Sequence, residues 1–183
     1  MVAVVAGIPS GLSELQVTYG HFTTAEHEVR GATTSFSRDA PWVSDKPKVR
    51  WTLNRNKEKK YTLLMLDPDA PEPSTQGDGN KVGLLGPWMH WFVLNCKDSS
   101  GSGHEIYPYE APNPPNAKPH RYIFVLFEQK KPGQLQGFQG DRMKWDVKGF
   151  LKANREALEP VAANFMYVTG KPWYTGGSEH DEL

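Results

Sequence analysis

The stretch YTLLMLDPDAP, residues 61–71, runs from a continuous apolar segment into two aspartates set between prolines. An apolar run of this length, bounded by turn-forming residues, predicts a strand buried on both faces. Proline fixes its own φ angle and restricts the residue before it. Asp67 and Asp69 are therefore expected to stand in a stiff frame at the end of this strand.

Four other segments are expected to form strands. MHWFVLN (89–95) and RYIFVLFEQ (121–129) are nearly continuous apolar runs, as expected for central strands. KVRWTLN (48–54) alternates apolar and polar residues, and HFTTAEHEVR (21–30) is a weaker candidate. The pattern predicts a mostly β domain.

One helix is predicted late in the chain, over DVKGFLKANREALEP (146–160). Its apolar residues fall on one face at helical spacing. Asp146 is a suitable N-cap, and Pro160 is expected to end the helix.

The composition limits the class of protein. A chain of 183 residues suits a single domain over 1–183, with 1–20 and 170–183 expected as loose ends. The 21 basic and 21 acidic residues give zero formal net charge, which argues against a nucleic-acid binder with a broad basic face. No apolar run approaches the roughly 20 residues of a membrane span.

The chain's one cysteine, Cys96, has no internal disulfide partner, which favours a reducing compartment or a fold that needs no disulfide. It follows WFVLN and is expected to be a small buried residue. The first residues lack the basic region of a signal peptide, so we expect a cytoplasmic protein. HDEL at 180–183 is typical of retention in the endoplasmic reticulum, whose lumen is the alternative location.

Three polar segments each lie at one end of a predicted central strand: DPDAP (67–71), PWMHW (87–91) and KPHRY (118–122). If these strands are neighbours, two carboxylates and two imidazoles, those of His90 and His120, converge at one end of a sheet.

Such a group suits several kinds of site. Two histidines and a carboxylate suit zinc or non-haem iron, although no HxxxH or HxD pair supports a metal. Asp and His also suit acid–base catalysis, although no serine lies in a recognisable nucleophile elbow. Imidazoles oriented by carboxylates suit a small anion. Each residue alone has an ordinary structural explanation, such as a turn cap for Asp67, but all three segments together favour a binding site.

DPDAP, WMHW and HRYIFVLFEQ, in this order, resemble the phosphatidylethanolamine-binding protein family, which includes Raf kinase inhibitor proteins and plant flowering regulators. The resemblance covers roughly residues 51–129 and continues more weakly through PVAANF (160–165). It implies an all-β fold, an antiparallel, Greek-key-like β-sandwich with a C-terminal helix. It also implies a small pocket at one sheet end for phosphate-like anions and phospholipid head groups.

The resemblance implies a set of ligand-binding residues. These are Asp67, Asp69, Pro71, Trp88, His90, Pro115, His120 and Tyr122. The chain departs from the family in a longer, glycine-rich loop at 72–87, which we expect at the rim of the pocket, and in Lys118, where the family has glycine.

The sequence thus predicts a monomeric, non-enzymatic binding protein with no catalytic residues, metal or other cofactor. The expected partners are phosphate or a phospholipid head group and, through the family, a kinase or another protein. One alternative is an interaction scaffold with a vestigial pocket. A hydrolase that uses His90 or His120 with Asp67 is the third.

Overall fold

Ten strands and one short α-helix form the part of the chain that this computed structural model describes, namely residues 12–20, 27–30, 34–53, 58–71 and 84–170. In chain order they are β1 (Ser13–Glu14), β2 (Gln16–Tyr19), β3 (His27–Glu28), β4 (Ser35–Ser37), β5 (Lys48–Arg50), β6 (Tyr61–Asp67), β7 (Trp88–Cys96), β8 (His104–Tyr107), β9 (His120–Gln129), α1 (Val147–Ala153) and β10 (Leu158–Thr169).

The strands form two sheets. The larger has the order β1–β10–β9–β6–β7–β8, with β4 also paired to β10, and the smaller has the order β3–β2–β5. The long central strands pair antiparallel. The short strands β1 and β4 instead run parallel to β10. The sandwich is therefore not wholly antiparallel, although the family resemblance implied an antiparallel one.

The central strands are buried on both faces, which explains their continuous apolar sequences. In β6, Leu63 and Met65 join a core between the two sheets, while Leu64 and Leu66 join a second core beneath α1. The prediction of three buried central strands is confirmed by β6, β7 and β9, and the all-β sandwich class is confirmed with them.

The predicted helix was too long. Asp146 does cap its start, because its side chain accepts a hydrogen bond of 2.8 Å from the backbone N–H of Gly149. The helix ends at Ala153, however, and Leu158 begins β10, which pairs with β9 along almost its whole length. Backbone pairing in the centre of the sheet overrides the helical spacing of the apolar residues, and the helix is followed by a strand.

Some expected boundaries also change. Only 48–50 of the predicted strand 48–54 is β5. Of the weaker candidate at 21–30, the described part contains β3 at 27–28. The expectation that 1–20 is loose is wrong for 12–20, because Leu15, Val17 and Tyr19 are fully buried.

Other sequence-based expectations concern residues 1–11, 21–26, 54–57, 72–83 and 171–183, which include HDEL. These residues lie outside the described part of the chain. Within the described part of the chain, no helix is long and apolar enough to cross a membrane.

Candidate anion-binding site

The three polar segments meet at one end of the large sheet, as the sequence predicted. The strand β6 lies between β7 and β9 and pairs antiparallel with both. The end of β6 at Asp67 is therefore beside the starts of its neighbours, with Asp67 paired to Trp88 and Leu66 paired to Ile123.

His120 is held by Asp67. Its Nδ1 lies 2.8 Å from Oδ2 of Asp67, and both side chains are almost completely buried. Oδ1 of Asp67 accepts a hydrogen bond of 2.7 Å from the backbone N–H of Asp69. The Nε2 of His120 is buried and has no hydrogen-bond partner among the described residues. A buried nitrogen without a partner costs free energy unless a ligand or water satisfies it.

Tyr122 packs beside this pair. Its hydroxyl is hydrogen-bonded to the side chain of Asp67 and to the backbone of Asn113. Burial, reinforced by the negative charge of Asp67, raises the pKa of Tyr122 well above its usual value. The phenol therefore stays protonated at neutral pH and serves as a hydrogen-bond donor.

His90 is oriented by a backbone carbonyl instead of a carboxylate. Its Nδ1 lies 2.8 Å from the carbonyl oxygen of Glu110, and its ring meets the ring of Tyr122 edge-on with centroids 5.0 Å apart. Burial lowers the pKa of His90, and the Glu110 carbonyl and the charge of Asp67 only partly oppose this. His90 is therefore neutral at pH 7.

Asp69 does not orient a histidine, contrary to the sequence-based expectation. Its Oδ2 accepts hydrogen bonds from the backbone N–H and the Nε of Arg121, at 2.8 and 2.7 Å. Burial tends to lower the pKa of Arg121, but the hydrogen bonds and charge of Asp69 outweigh it, and the net effect is a raised pKa. This pair ties the turn after β6 to the start of β9.

Two residues that sequence analysis missed support the histidine on the β7 side. Arg142 donates hydrogen bonds to the carbonyl oxygens of Met89, at 2.8 Å, and Pro108, also at 2.8 Å. Its Nε lies 3.2 Å from Oε2 of Glu110. The same oxygen lies 3.4 Å from the indole nitrogen of Trp88. Nothing in their local sequence marked Arg142 and Glu110, because their roles depend on contacts across long stretches of chain.

The remaining predicted site residues lie in the flanking turns. Pro71 is half-buried next to Ala70, and Pro115 is half-buried in the segment before β9. Of the predicted rim at 72–87, residues 72–83 lie outside the described residues. In the described end of this loop, Leu84 is 78% exposed, and the backbone N–H of Leu85 donates to the carbonyl of Ala70 at 2.9 Å.

The geometry bears on the alternatives of metal binding and hydrolysis. In the described ranges of the chain, no three His, Cys, Asp or Glu side chains are grouped so that they could hold a metal ion. The groups bonded to Nδ1 of the two histidines are a carboxylate and a carbonyl. Both accept hydrogen bonds, so each Nδ1 carries a proton and neither Nε2 takes part in these two contacts.

The chain is a β-sandwich whose large sheet brings His90 and His120 to one end. The sequence matches the family described as phosphatidylethanolamine-binding protein over residues 23–166, and the chain belongs to this family.

Plant proteins are among its relatives. The chain is 34% identical to CEN-like protein 4 of Nicotiana tabacum over 67% of its own length and 66% of that protein, so it spans slightly less than two thirds of this relative. It is 32% identical to Protein FLOWERING LOCUS T of Arabidopsis thaliana, over 82% of this chain and 77% of that one.

Solved structures have the same fold. A carboxypeptidase Y inhibitor complexed with its cognate proteinase superposes with a TM-score of 0.67 and 25% identity, covering 89% of this chain and 85% of that chain. A phosphatidylethanolamine-binding protein from Plasmodium vivax superposes with a TM-score of 0.61 and 17% identity, covering 89% and 90% of the two chains, which speaks for the fold alone.

Proposed function

We propose that the site around Asp67 and His120 binds a phosphate-type anion, either free or as the head group of a phospholipid, and that the protein is a non-enzymatic regulator. The observation that carries this proposal is the Nε2 of His120, which is buried without a partner among the described residues. A phosphate group accepts hydrogen bonds through its oxygens and donates one through a P–OH group, so it is a suitable partner for this nitrogen.

The tautomers predict how binding depends on pH. In neutral His90 and His120 the Nδ1 atoms hold the protons, so the Nε2 atoms are acceptors and repel an unprotonated anion. Protonation converts the Nε2 of His90 into a donor, and because burial lowers the pKa of His90 this change takes place below pH 6.5. Anion affinity is therefore expected to rise as the pH falls below 6.5.

The absence of enzymatic activity belongs to the same proposal. Acyl transfer needs a nucleophile within hydrogen-bond reach of the base. The chain's thiol, Cys96, lies at the far end of β7 from His90, and burial raises the pKa of Cys96 to about 12. This supports a site that binds without reacting.

The test is calorimetric titration with inorganic phosphate and with O-phosphoethanolamine at pH 6 and pH 8. We expect saturable binding that is tighter at pH 6 and that weakens at least about tenfold in His120→Ala, since a charge-assisted hydrogen bond contributes about 1.5–3 kcal/mol. His104→Ala is the control, because this histidine is exposed. Unchanged affinity in His120→Ala would reject the assignment.

Vesicles separate the two sources of phosphate. Vesicles of phosphatidylcholine with and without phosphatidylethanolamine are offered to the protein at the same pH. Selective binding to the vesicles that contain phosphatidylethanolamine indicates a lipid head group, and binding of free phosphate alone indicates a soluble anion.

The second candidate is a protein-interaction module whose pocket is vestigial. It is favoured by the likeness to a carboxypeptidase Y inhibitor that was solved with its cognate proteinase. Titration of the chain into carboxypeptidase Y tests one such partner directly, and a panel of purified kinases tests the other class. Inhibition that is identical in His120→Ala would favour this candidate over the anion site.

A further inference from the structure

The site around Asp67 and His120 presents a hydrogen-bond acceptor to its ligand. The carboxylate of Asp67 already receives the Nδ1–H of His120 at 2.8 Å, the backbone N–H of Asp69 at 2.7 Å and the hydroxyl of Tyr122. Because its Nδ1 proton points at this carboxylate, the neutral ring of His120 has an acceptor at Nε2. This nitrogen is buried without a partner among the described residues, so a group placed against it must donate a hydrogen bond to satisfy it.

His90 adds a second acceptor of the same kind. Its Nδ1 lies 2.8 Å from the carbonyl oxygen of Glu110, so Nδ1 carries the proton and Nε2 of the neutral ring accepts. Burial lowers the pKa of His90, which keeps the ring neutral at pH 7. The ring of Tyr122 lies 5.0 Å from that of His90, and its hydroxyl is bonded to the carboxylate that holds His120. The two imidazoles therefore flank Tyr122.

The hydroxyl of Tyr122 is already engaged within the protein. It donates to the carboxylate of Asp67, which raises the pKa of the phenol, and it is bonded to the backbone of Asn113, which lowers that pKa and therefore acts through its N–H. The prolines at 112, 114 and 115 on either side of Asn113 have no N–H to donate. This segment therefore supplies few donors to an anion.

Two guanidinium groups beside the histidines are balanced by carboxylates. Arg121 donates from Nε to Oδ2 of Asp69 at 2.7 Å. Arg142 lies 3.2 Å from Oε2 of Glu110. The carboxylate of Asp67 is bonded to neutral donors and to His120, so a second negative charge on a ligand would be repelled by it.

We propose that this site selects a singly charged phosphate or phosphate monoester, which keeps a P–OH group, over phosphate diesters, sulfate-type anions and doubly charged phosphate. The P–OH group donates to an imidazole Nε2, and the single charge limits the repulsion from Asp67. A diester or a sulfonate has only acceptor oxygens and would leave the buried Nε2 of His120 opposite another acceptor. This inference rests on the function proposed above and narrows its ligand to one chemical class.

The test compares methylphosphonate with methanesulfonate, two tetrahedral anions of nearly the same size. At pH 7 both carry mostly one negative charge, but only methylphosphonate has a hydroxyl hydrogen to donate. Calorimetric titration of the full chain is expected to show at least about tenfold tighter binding of methylphosphonate, because a buried acceptor left unpaired is costly. Dimethyl phosphate, a diester with the same single charge, is expected to bind as weakly as methanesulfonate.

The ring nitrogens report the contact directly. In ¹⁵N-labelled protein without ligand at pH 7, the Nε2 of His120 is expected to have the resonance of an unprotonated ring nitrogen. Methylphosphonate should shift this resonance as the nitrogen accepts a hydrogen bond, and methanesulfonate should leave it in place. A protonated Nε2 in the ligand-free protein would overturn the proposal, because this atom would then be a donor.

A variant locates the selectivity. His120→Gln removes the fixed acceptor, since its amide can turn either its oxygen or its NH₂ group toward the ligand, and the preference for methylphosphonate is expected to fall below about threefold. His104→Gln, at an exposed position, should keep the full preference. Thermal unfolding verifies that each variant is folded, and the wild-type comparison of the three anions decides the proposal even if His120→Gln does not fold.

Vesicles identify the source of the monoester. Vesicles of phosphatidylcholine are prepared with phosphatidic acid, a lipid monoester, or with phosphatidylglycerol, a diester. Binding to the first kind alone assigns the monoester to a lipid, and binding to neither, with methylphosphonate bound, assigns it to a soluble ligand. A preference for phosphatidylglycerol would overturn the proposal.

The outcomes separate this inference from the function on which it rests. Equal affinity for methylphosphonate and methanesulfonate, or tighter binding of dimethyl phosphate, would overturn the selectivity and leave anion binding intact. Failure of these anions and of inorganic phosphate to bind would reject anion binding itself. Binding of ethanolamine without binding of methylphosphonate would show that the acceptor nitrogens serve an ammonium group, and both proposals would be wrong.

Discussion

Asp67 and His120 are separated by 53 residues in sequence, yet Oδ2 of the first lies 2.8 Å from Nδ1 of the second. Neither side chain exposes more than 3% of its surface. The contact joins the end of β6 to the start of β9 and fixes the direction of the imidazole. A buried pair of this kind is costly to break from one side, because the remaining partner stays buried without compensation.

Asp67→Asn is expected to lower both stability and anion affinity. Asparagine keeps the size of the side chain but removes the carboxylate charge from the contact with Nδ1 of His120, so the imidazole is held less firmly. We expect a loss of about 1–3 kcal/mol in the free energy of unfolding by urea, with weaker phosphate binding by calorimetry. Asp141→Asn, at an exposed position, is the matched control. Equal behaviour of the two variants would show that the Asp67–His120 contact contributes nothing.

Acidification is expected to destabilise the protein through His90. Burial lowers the pKa of His90 in the folded protein below 6.5, which is its value in the unfolded chain. At a pH between these two pKa values, the unfolded chain therefore binds more protons than the folded one. The stabilisation from neutral His90 is therefore complete above pH 6.5. It is lost as the pH falls below 6.5, by at most about 1.4 kcal/mol per pH unit.

Urea unfolding at several pH values between 5 and 8, in buffers free of phosphate, measures this slope. His90→Gln should flatten it, whereas His104→Gln, at an exposed position, should keep it. Identical slopes in wild type and His90→Gln would contradict the assignment of this pH dependence to His90.

The central sheet could be predicted because burial on both faces requires a continuous run of apolar residues, which is easily recognised in the sequence. A strand such as β6 needs apolar residues at every position, since both Leu63 and Leu64 face a core. The site followed from the same reasoning, because the ends of adjacent antiparallel strands must meet. The sequence alone is therefore sufficient to group Asp67, His90 and His120 at one sheet end.

Long-range polar contacts could not be predicted in this way, because no local sequence pattern marks them. Arg121 was overlooked although it follows His120 directly, because its pairing with Asp69 depends on the turn between strands. Glu110 and Arg142 lie in irregular segments whose sequence carries no periodicity. The start of β10 was mistaken for the end of a helix, because Leu158 continues the helical spacing of the apolar residues and only pairing with Gln129 reveals the strand.

Arg142→Lys is expected to disturb His90 without removing a charge. A lysine lacks the planar fork that reaches the carbonyls of Met89 and Pro108 together. We expect a loss of about 1–3 kcal/mol in the free energy of unfolding and a changed ¹⁵N resonance pattern for the His90 ring. Arg155→Lys, in an exposed ion pair, should change stability by less than about 0.5 kcal/mol. An unaltered His90 spectrum in Arg142→Lys would rule out a positioning role.

Cys96 is expected to resist thiol reagents in the folded protein. Its side chain is completely buried, and burial raises the pKa of its thiol to about 12, so almost no thiolate forms at pH 8. Labelling with a chromogenic disulfide should be slow until denaturant is added. Ser35→Cys, which places a second thiol at an exposed position, should react at once with one equivalent of reagent. Rapid labelling of the wild-type protein at pH 8 would show that the end of β7 opens locally.

Two glycines of one short segment should respond oppositely to the same substitution. A Cβ atom at Gly103 would lie 2.6 Å from each of three atoms, namely Sγ of Cys96, the carbonyl oxygen of Leu94 and a methyl carbon of Val93. The carbonyl belongs to β7 in the centre of the fold and cannot move aside cheaply. At Gly101 the same atom would meet nothing within 4 Å. Gly103→Ala is therefore expected to destabilise the protein by about 1–3 kcal/mol through overpacking.

Gly101→Ala should stay within about 0.5 kcal/mol of wild type. Urea unfolding of both variants makes the comparison, and equal losses would show that close packing of Gly103 on β7 does not determine stability here.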